Sequence, residues 1–125
     1  MNVLLLDTSK PEPQIIDTEG GLNEWYRLIG CNLIDITVYE IDGQEYDFIF
    51  DDEGLFQERA KPTVLTAEGE PLNVGNIVIC KCDEEGAESG LNVSDIEAIR
   101  KHLVILTEKT DQTDREPEQW LAIKL

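Results

Sequence analysis

Leu33-Ile-Asp-Ile-Thr-Val-Tyr-Glu-Ile-Asp-Gly-Gln-Glu-Tyr-Asp-Phe-Ile-Phe-Asp51 decides the fold. Both halves are rich in β-branched and aromatic residues, and the Asp42-Gly43 dipeptide between them is a strong hairpin turn signal. A two-residue loop would pair Ile41 with Gln44 and set Glu40 directly opposite Glu45, a destabilising like-charge pair. It would also place Ile34, Ile36 and Val38 on one face with Glu45, Asp47 and Asp51. A three-residue loop, Asp42-Gly43-Gln44, separates the two kinds of residue. One face then carries Ile34, Ile36, Val38, Tyr46, Phe48 and Phe50, and the other carries Asp35, Thr37, Tyr39, Glu45, Asp47, Ile49 and Asp51. A one-residue slip exchanges faces, so burial of one face specifies the register. The longer loop is the expectation, with Gly43 left-handed or bulged.

Outward from the hairpin, the flanking chain supplies short elements. Val3 to Leu6 is a continuous apolar run that suits a strand buried on both faces, and Gln14 to Asp17 returns as a second strand. Leu22, Trp25, Tyr26 and Ile29 follow helical spacing, and Gly30 stands where a C′ glycine belongs. Residues 55–74 hold Pro62, Gly69 and Pro71 without clear periodicity and read as a long loop with one turn of helix. Asn76 to Cys82 is a strand, and residues 83–90 form an acidic loop. Ser94-Asp-Ile-Glu97 fits a capping box opening a second helix, with Ile96, Ile99 and Leu103 as its buried stripe and Arg100, Lys101 and His102 in its last turn. Val104 to Leu106 follows as a short strand. The expected architecture is α+β: a small, mostly antiparallel sheet with two helices in a single domain. Residues 1–106 form the core, and residues 107–125 are a polar linker plus an apolar C-terminal segment that docks as an extra strand or on a neighbour.

The chain has 125 residues and 41% hydrophobic content, enough for one packed core without disulfides or metal. Its 27 acids outnumber ten bases and give a net charge of −17. Such a chain is repelled by nucleic acid and by anionic membranes, and is attracted to basic surfaces. Solubility alone also accounts for acidity of this size. Cys31, Cys80 and Cys82 are an odd number, and Met1 to Asp7 lacks a signal peptide's basic start, which together predict reduced thiols and a cytoplasmic location. No apolar run approaches membrane-spanning length.

Candidate chemistry is sparse. An EF-hand loop with its glycine at Gly54 would start on Ile49 and need a bidentate Glu at Ala60, and both positions fail. Cys80 and Cys82 with Cys31 and His102 have no zinc spacing, so small buried hydrophobes are the simpler reading of the thiols. A cysteine–histidine nucleophile pair is equally unsupported, and no phosphate loop, serine elbow or HExxH motif is present. No enzyme, cofactor or metal is expected. Leu28 to Glu58 holds nine acids and no lysine or arginine. Acids two apart along a strand stand about 6.7 Å apart, near the phosphate spacing of a nucleic-acid strand. Glu45, Asp47, Asp51, Asp52 and Glu53 therefore form a candidate acidic docking row, with Tyr39 as its aromatic anchor or, equally, a ring covered by the long loop. A second reading gives Arg59 and Lys61, the only bases between Arg27 and Lys81, to an anionic, nucleotide-like small ligand closed over by residues 55–74. A third has Trp120 to Leu125 driving homodimer formation.

The order of these signals, from the opening strand through Leu-Ile-Gly30, the hairpin, Asp-Asp-Glu-Gly54-Leu, Gly75-Asn-Ile-Val-Ile79 and Leu91-Asn-Val-Ser-Asp-Ile-Glu97, resembles the uncharacterised family catalogued as domain of unknown function 3846. The resemblance runs roughly from Asn2 to Leu103 and rests on turn-and-strand punctuation. Such proteins are small and commonly encoded by phages, plasmids and related mobile elements. The resemblance implies an accessory protein that acts on host machinery. Combined with the charge pattern, it gives the leading expectation: a non-enzymatic inhibitor or anti-defence protein docking its acidic hairpin on a basic host protein that handles nucleic acid or defends the cell.

Overall fold

The computed structural model describes residues 1–54, 61–108 and 118–125. Its strands are β1 (Asn2–Leu6), β2 (Gln14–Asp17), β3 (Ile34–Ile41), β4 (Gln44–Asp51), β5 (Pro62–Leu65), β6 (Pro71–Val74), β7 (Ile77–Cys82), β8 (Glu88–Ser89), β9 (Leu103–Glu108) and β10 (Glu118–Lys124). Its helices are α1 (Leu22–Ile29) and α2 (Val93–Arg100). One small α+β domain of mostly antiparallel strands with two helices is what the residue patterns predict; the strands divide between two sheets where a single one is expected. The larger sheet runs β2-β1-β7-β4-β3 with β8 paired to β7, and the smaller runs β6-β5-β10-β9. Among the described residues, the β5–β10 pair is the one parallel pairing.

Two cores sandwich the larger sheet. On one face Val3, Leu5, Ile49, Val78 and Cys80 pack against Trp25 and Ile29 of α1. On the other, Leu4, Leu6, Tyr46, Phe48, Ile77 and Ile79 pack against Val64 and Ile123 of the smaller sheet and Ile99 of α2. The apolar run of β1 is buried throughout because it alternates between these two cores. α1 ends on Gly30 in the left-handed conformation, φ 81°, where its N–H returns to the Tyr26 carbonyl.

The hairpin differs from the expected register. Ile41 pairs with Gln44 and Glu40 with Glu45, so the loop is the two-residue Asp42-Gly43 turn. Both turn residues have positive φ, 52° and 82°, the type I′ geometry that matches strand twist. The three-residue loop presupposes a single dry face. β4 instead has two: Tyr46 and Phe48 enter one core and Ile49 the other, all essentially without exposure. β3 is the sheet's edge, so Ile36 and Val38, opposite Ile49 and Asp47, remain 45% and 53% exposed. Like charges at Glu40 and Glu45 are tolerated because both side chains reach water.

Two further departures concern residues 62–74 and the start of α2. Where a loop was expected, Pro62–Leu65 and Pro71–Val74 form β5 and β6; both begin on proline and pair irregularly, which masks their periodicity. The capping box is Asn92 with Asp95, not Ser94 with Glu97: Asn92 Oδ1 accepts from Asp95 N at 2.9 Å and Asp95 Oδ2 from Asn92 N at 2.8 Å. Leu103 opens β9 and does not extend the helix stripe. Thr107 and Glu108 belong to β9, and Glu118 and Gln119 to β10; the rest of the expected linker lies outside the described residues. β10 lies between β5 and β9 of this same chain, burying Trp120, Ala122 and Ile123.

Candidate functional site

The hairpin presents acids in two separate groups. Near the turn, Glu40 and Glu45 face each other across the strands, both exposed. Their position, next to the hydrogen-bonded pair that closes the turn, is a non-hydrogen-bonded one, where opposing Cα atoms approach to about 4.5 Å. At the far end, Asp51 Oδ1 accepts the Glu53 backbone N–H at 2.9 Å, a tight turn that leaves Asp52 and Glu53 exposed. Among the described residues, no lysine or arginine is ion-paired to Glu40, Glu45, Asp52 or Glu53.

Asp47 does not join them. β4 lies between β3 and β7, so Asp47 sits between Val38 and Cys80 and is 8% exposed. The Cys82 thiol donates to its Oδ2 at 2.7 Å. The next residue on that face, Ile49, is fully buried. The expected row is therefore interrupted: Glu45 and Asp51 are six residues apart, about 20 Å, and the regular 6.7 Å spacing of a phosphate row is not offered.

Tyr39 is on the opposite face from Glu45. Its hydroxyl reaches Asn73 Oδ1 at 2.5 Å, and its ring meets Phe48 edge-on at 4.9 Å between centroids. It is half-buried beneath β6, a packing role rather than an open anchor. Arg59 lies outside the described residues. Lys61 is engaged by Glu118 Oε2 at 3.1 Å and stands 5.7 Å from the Trp120 ring centroid, so its ammonium is already partnered.

The thiols are muted. Cys80 is buried, and burial first, with the Asp47 charge second, pushes it up to about 12. Cys82 is exposed, yet its hydrogen bond to Asp47, with burial and nearby carboxylates adding, pushes it up to about 11. Burial and the charge of Asp51 also raise Cys31. A nucleophilic or metal-binding cysteine needs the thiolate, so all three are moved away from such work. The ring of His102 faces the Lys124 carbonyl through Nδ1 at 2.9 Å and Asp42 through Nε2 at 3.3 Å, not a cysteine. Among the described residues no group of three or more potential ligands could hold a metal ion.

One cluster was not anticipated. Asp95, the capping acid of α2, also accepts the Tyr46 hydroxyl at 2.9 Å and pairs with Lys81 Nζ at 2.7 Å. Burial works against its charged form, but the Asn92 amide, Lys81 and Tyr46 outweigh it and hold the carboxyl below its ordinary range. Burial, followed by the Asp95 bond and charge, drives the Tyr46 phenol upward. The Asn92-x-x-Asp95 spacing was a legible clue to the cap; the strand lysine it captures was not. This arrangement commits Lys81 to α2, on the face opposite Glu45.

Among the described residues no helix is long and apolar enough to cross a membrane. Residues 1–104 match the family described as Domain of unknown function (DUF3846). No curated protein and no solved structure matches the chain.

Proposed function

The chain belongs to the family described as Domain of unknown function (DUF3846), and from that premise we propose that it is a small acidic binding protein with no catalytic step of its own. It acts in the host cytoplasm as an accessory protein of a phage or other mobile element, docking on a basic surface of a host protein that handles nucleic acid or defends the cell. The observation that carries the reading is the juxtaposition of Glu40 and Glu45, with Asp52 and Glu53 as a second exposed group, none of them paired to a lysine or arginine among the described residues. Opposed carboxylates cost the free protein stability, and a partner's cations relieve that cost on binding. The net charge of −17 steers a basic partner from a distance.

The docking groups are the two ends of the hairpin rather than a row through Asp47. The test is capture from host lysate on immobilised protein, comparing the wild type with the variant Glu40→Gln, Glu45→Gln, Asp52→Asn, Glu53→Gln. The reading expects a protein retained at low salt, released at high salt and lost from the variant. Equal retention by the variant overturns it.

A further inference from the structure

We propose that the open edge of β3 takes up an extended basic segment of the partner protein as an added strand. The inference rests on the acidic-docking reading above and states how the partner is held. β3 ends the larger sheet, and among the described residues no strand pairs with its outer side. Its ladder with β4 runs through eight consecutive pairs without a bulge. The Asp52 N–H donates to the Leu33 carbonyl at 3.0 Å, which fixes the phase of that ladder. Asp35, Thr37, Tyr39 and Ile41 therefore turn their backbone groups toward β4, while Ile34, Ile36, Val38 and Glu40 turn theirs outward. The Ile36 N–H donates at 2.8 Å to the side chain of its own neighbour, Asp35, so this edge amide is served locally and not by a strand.

The same outward residues offer apolar area. Ile36 and Val38 are about half exposed. A strand laid along the edge would pair with their backbone and cover their side chains together, the usual mode of strand addition. Proteins ordinarily blunt a long edge with lysine, proline or a bulge. β3 has none of these; its edge carries Asp35 and Glu40, with Glu45 across the pair. Those charges discourage acidic and neutral strands and favour a basic one. They also disfavour a second copy, which would bring its own −17. Of the other described edges, β2 has four residues and follows Pro13, β8 has two residues, and β6 opens on Pro71 and pairs irregularly with β5. β9 is also a regular open edge, with Ile105 65% exposed, but Glu108 at its end is its one acid, so it lacks the charge that would select a basic strand.

The probe is a synthetic peptide of alternating lysine and valine long enough to span β3, titrated into isotope-labelled protein. A second peptide carries methyl groups on every backbone nitrogen that would face β3, keeping charge and side chains while removing the donors. Strand addition predicts that the first peptide binds, slows hydrogen exchange at the Val38 and Glu40 amides, and outbinds the methylated one about tenfold or more, as a few lost hydrogen bonds require. Val38→Lys, with its folded spectrum intact, should also lose affinity for the first peptide. Equal binding of both peptides, with shifts gathered at Asp52 and Glu53, overturns strand addition and leaves charge docking standing. Absence of peptide binding while lysate capture persists does the same. Loss of both overturns both. Protection of Val38 that grows with protein concentration, without peptide, assigns the edge to a second copy and also overturns the proposal.

Discussion

Replacing Asp95 by alanine removes three interactions at once. It deletes the reciprocal cap of α2, the acceptor of the Tyr46 hydroxyl and the counter-charge of Lys81. Loss of a helix N-terminal cap costs about 1 kcal/mol, and a buried hydroxyl left without its acceptor about 1–3 kcal/mol. The Asp95 and Lys81 side chains are 8% and 19% exposed, so the pair is largely screened from water and breaking it belongs near the lower end of the roughly 3–5 kcal/mol range for buried pairs. The interactions share one carboxylate and do not add, which places the total at about 3–4 kcal/mol. The assay is urea unfolding of wild type, Asp95→Ala, Lys81→Met and the double variant. The double variant should be more stable than the sum of the singles, because the stranded ammonium is gone. A loss below about 1 kcal/mol for Asp95→Ala, or strict additivity, would refute the account of this cluster. The pH dependence follows in sign. The carboxyl titrates lower when folded than its free value of 3.8, so its contribution is complete above that value and fades as pH falls through the folded one. The stability gap between wild type and Asp95→Asn should therefore narrow below about pH 4.

Glu45→Lys should raise the urea midpoint slightly, since it converts the repulsion with Glu40 into attraction, and should weaken lysate capture; a variant that gains stability and keeps full capture would separate the acids from binding. Cys82 should alkylate at pH 8 about tenfold more slowly than a free cysteine, because pushing its thiol from 9.0 to about 11 cuts the thiolate about a hundredfold while making that thiolate about tenfold more nucleophilic, and Asp47→Asn should restore much of the rate; mass spectrometry of timed samples reads both. Gly43→Ala should cost about 1 kcal/mol in thermal unfolding, since φ is 82° and nothing lies within 4 Å of an added Cβ, which leaves backbone strain as the sole penalty.

The elements with strong local chemistry were legible: the Asp42-Gly43 turn, the apolar run of β1, and α1 closed by Gly30. What was not legible depends on what covers each face. The hairpin register turned on whether β4 has one dry side or two, and α1 supplies the second from a segment whose docking side no pattern announces. Asp47 looks like any surface acid until Val38 and Cys80 flank it and Cys82 donates to it. Tyr39 becomes a packed ring only once β6 places Asn73 against it. β5 reaches its parallel partner β10 across most of the second half of the chain, a pairing with no local signature. Of the candidate site, Glu45, Asp52 and Glu53 were readable from charge alone; Glu40, which the two-residue turn sets opposite Glu45, and the buried middle that separates the two groups were not.

The affinity of the captured host protein, measured against salt for the wild type and for the variant lacking the Glu40, Glu45, Asp52 and Glu53 charges, tests the docking claim most directly. The account predicts a steep weakening with salt for the wild type and weaker, flatter binding for the variant. Identical affinities and slopes for the two proteins would contradict it.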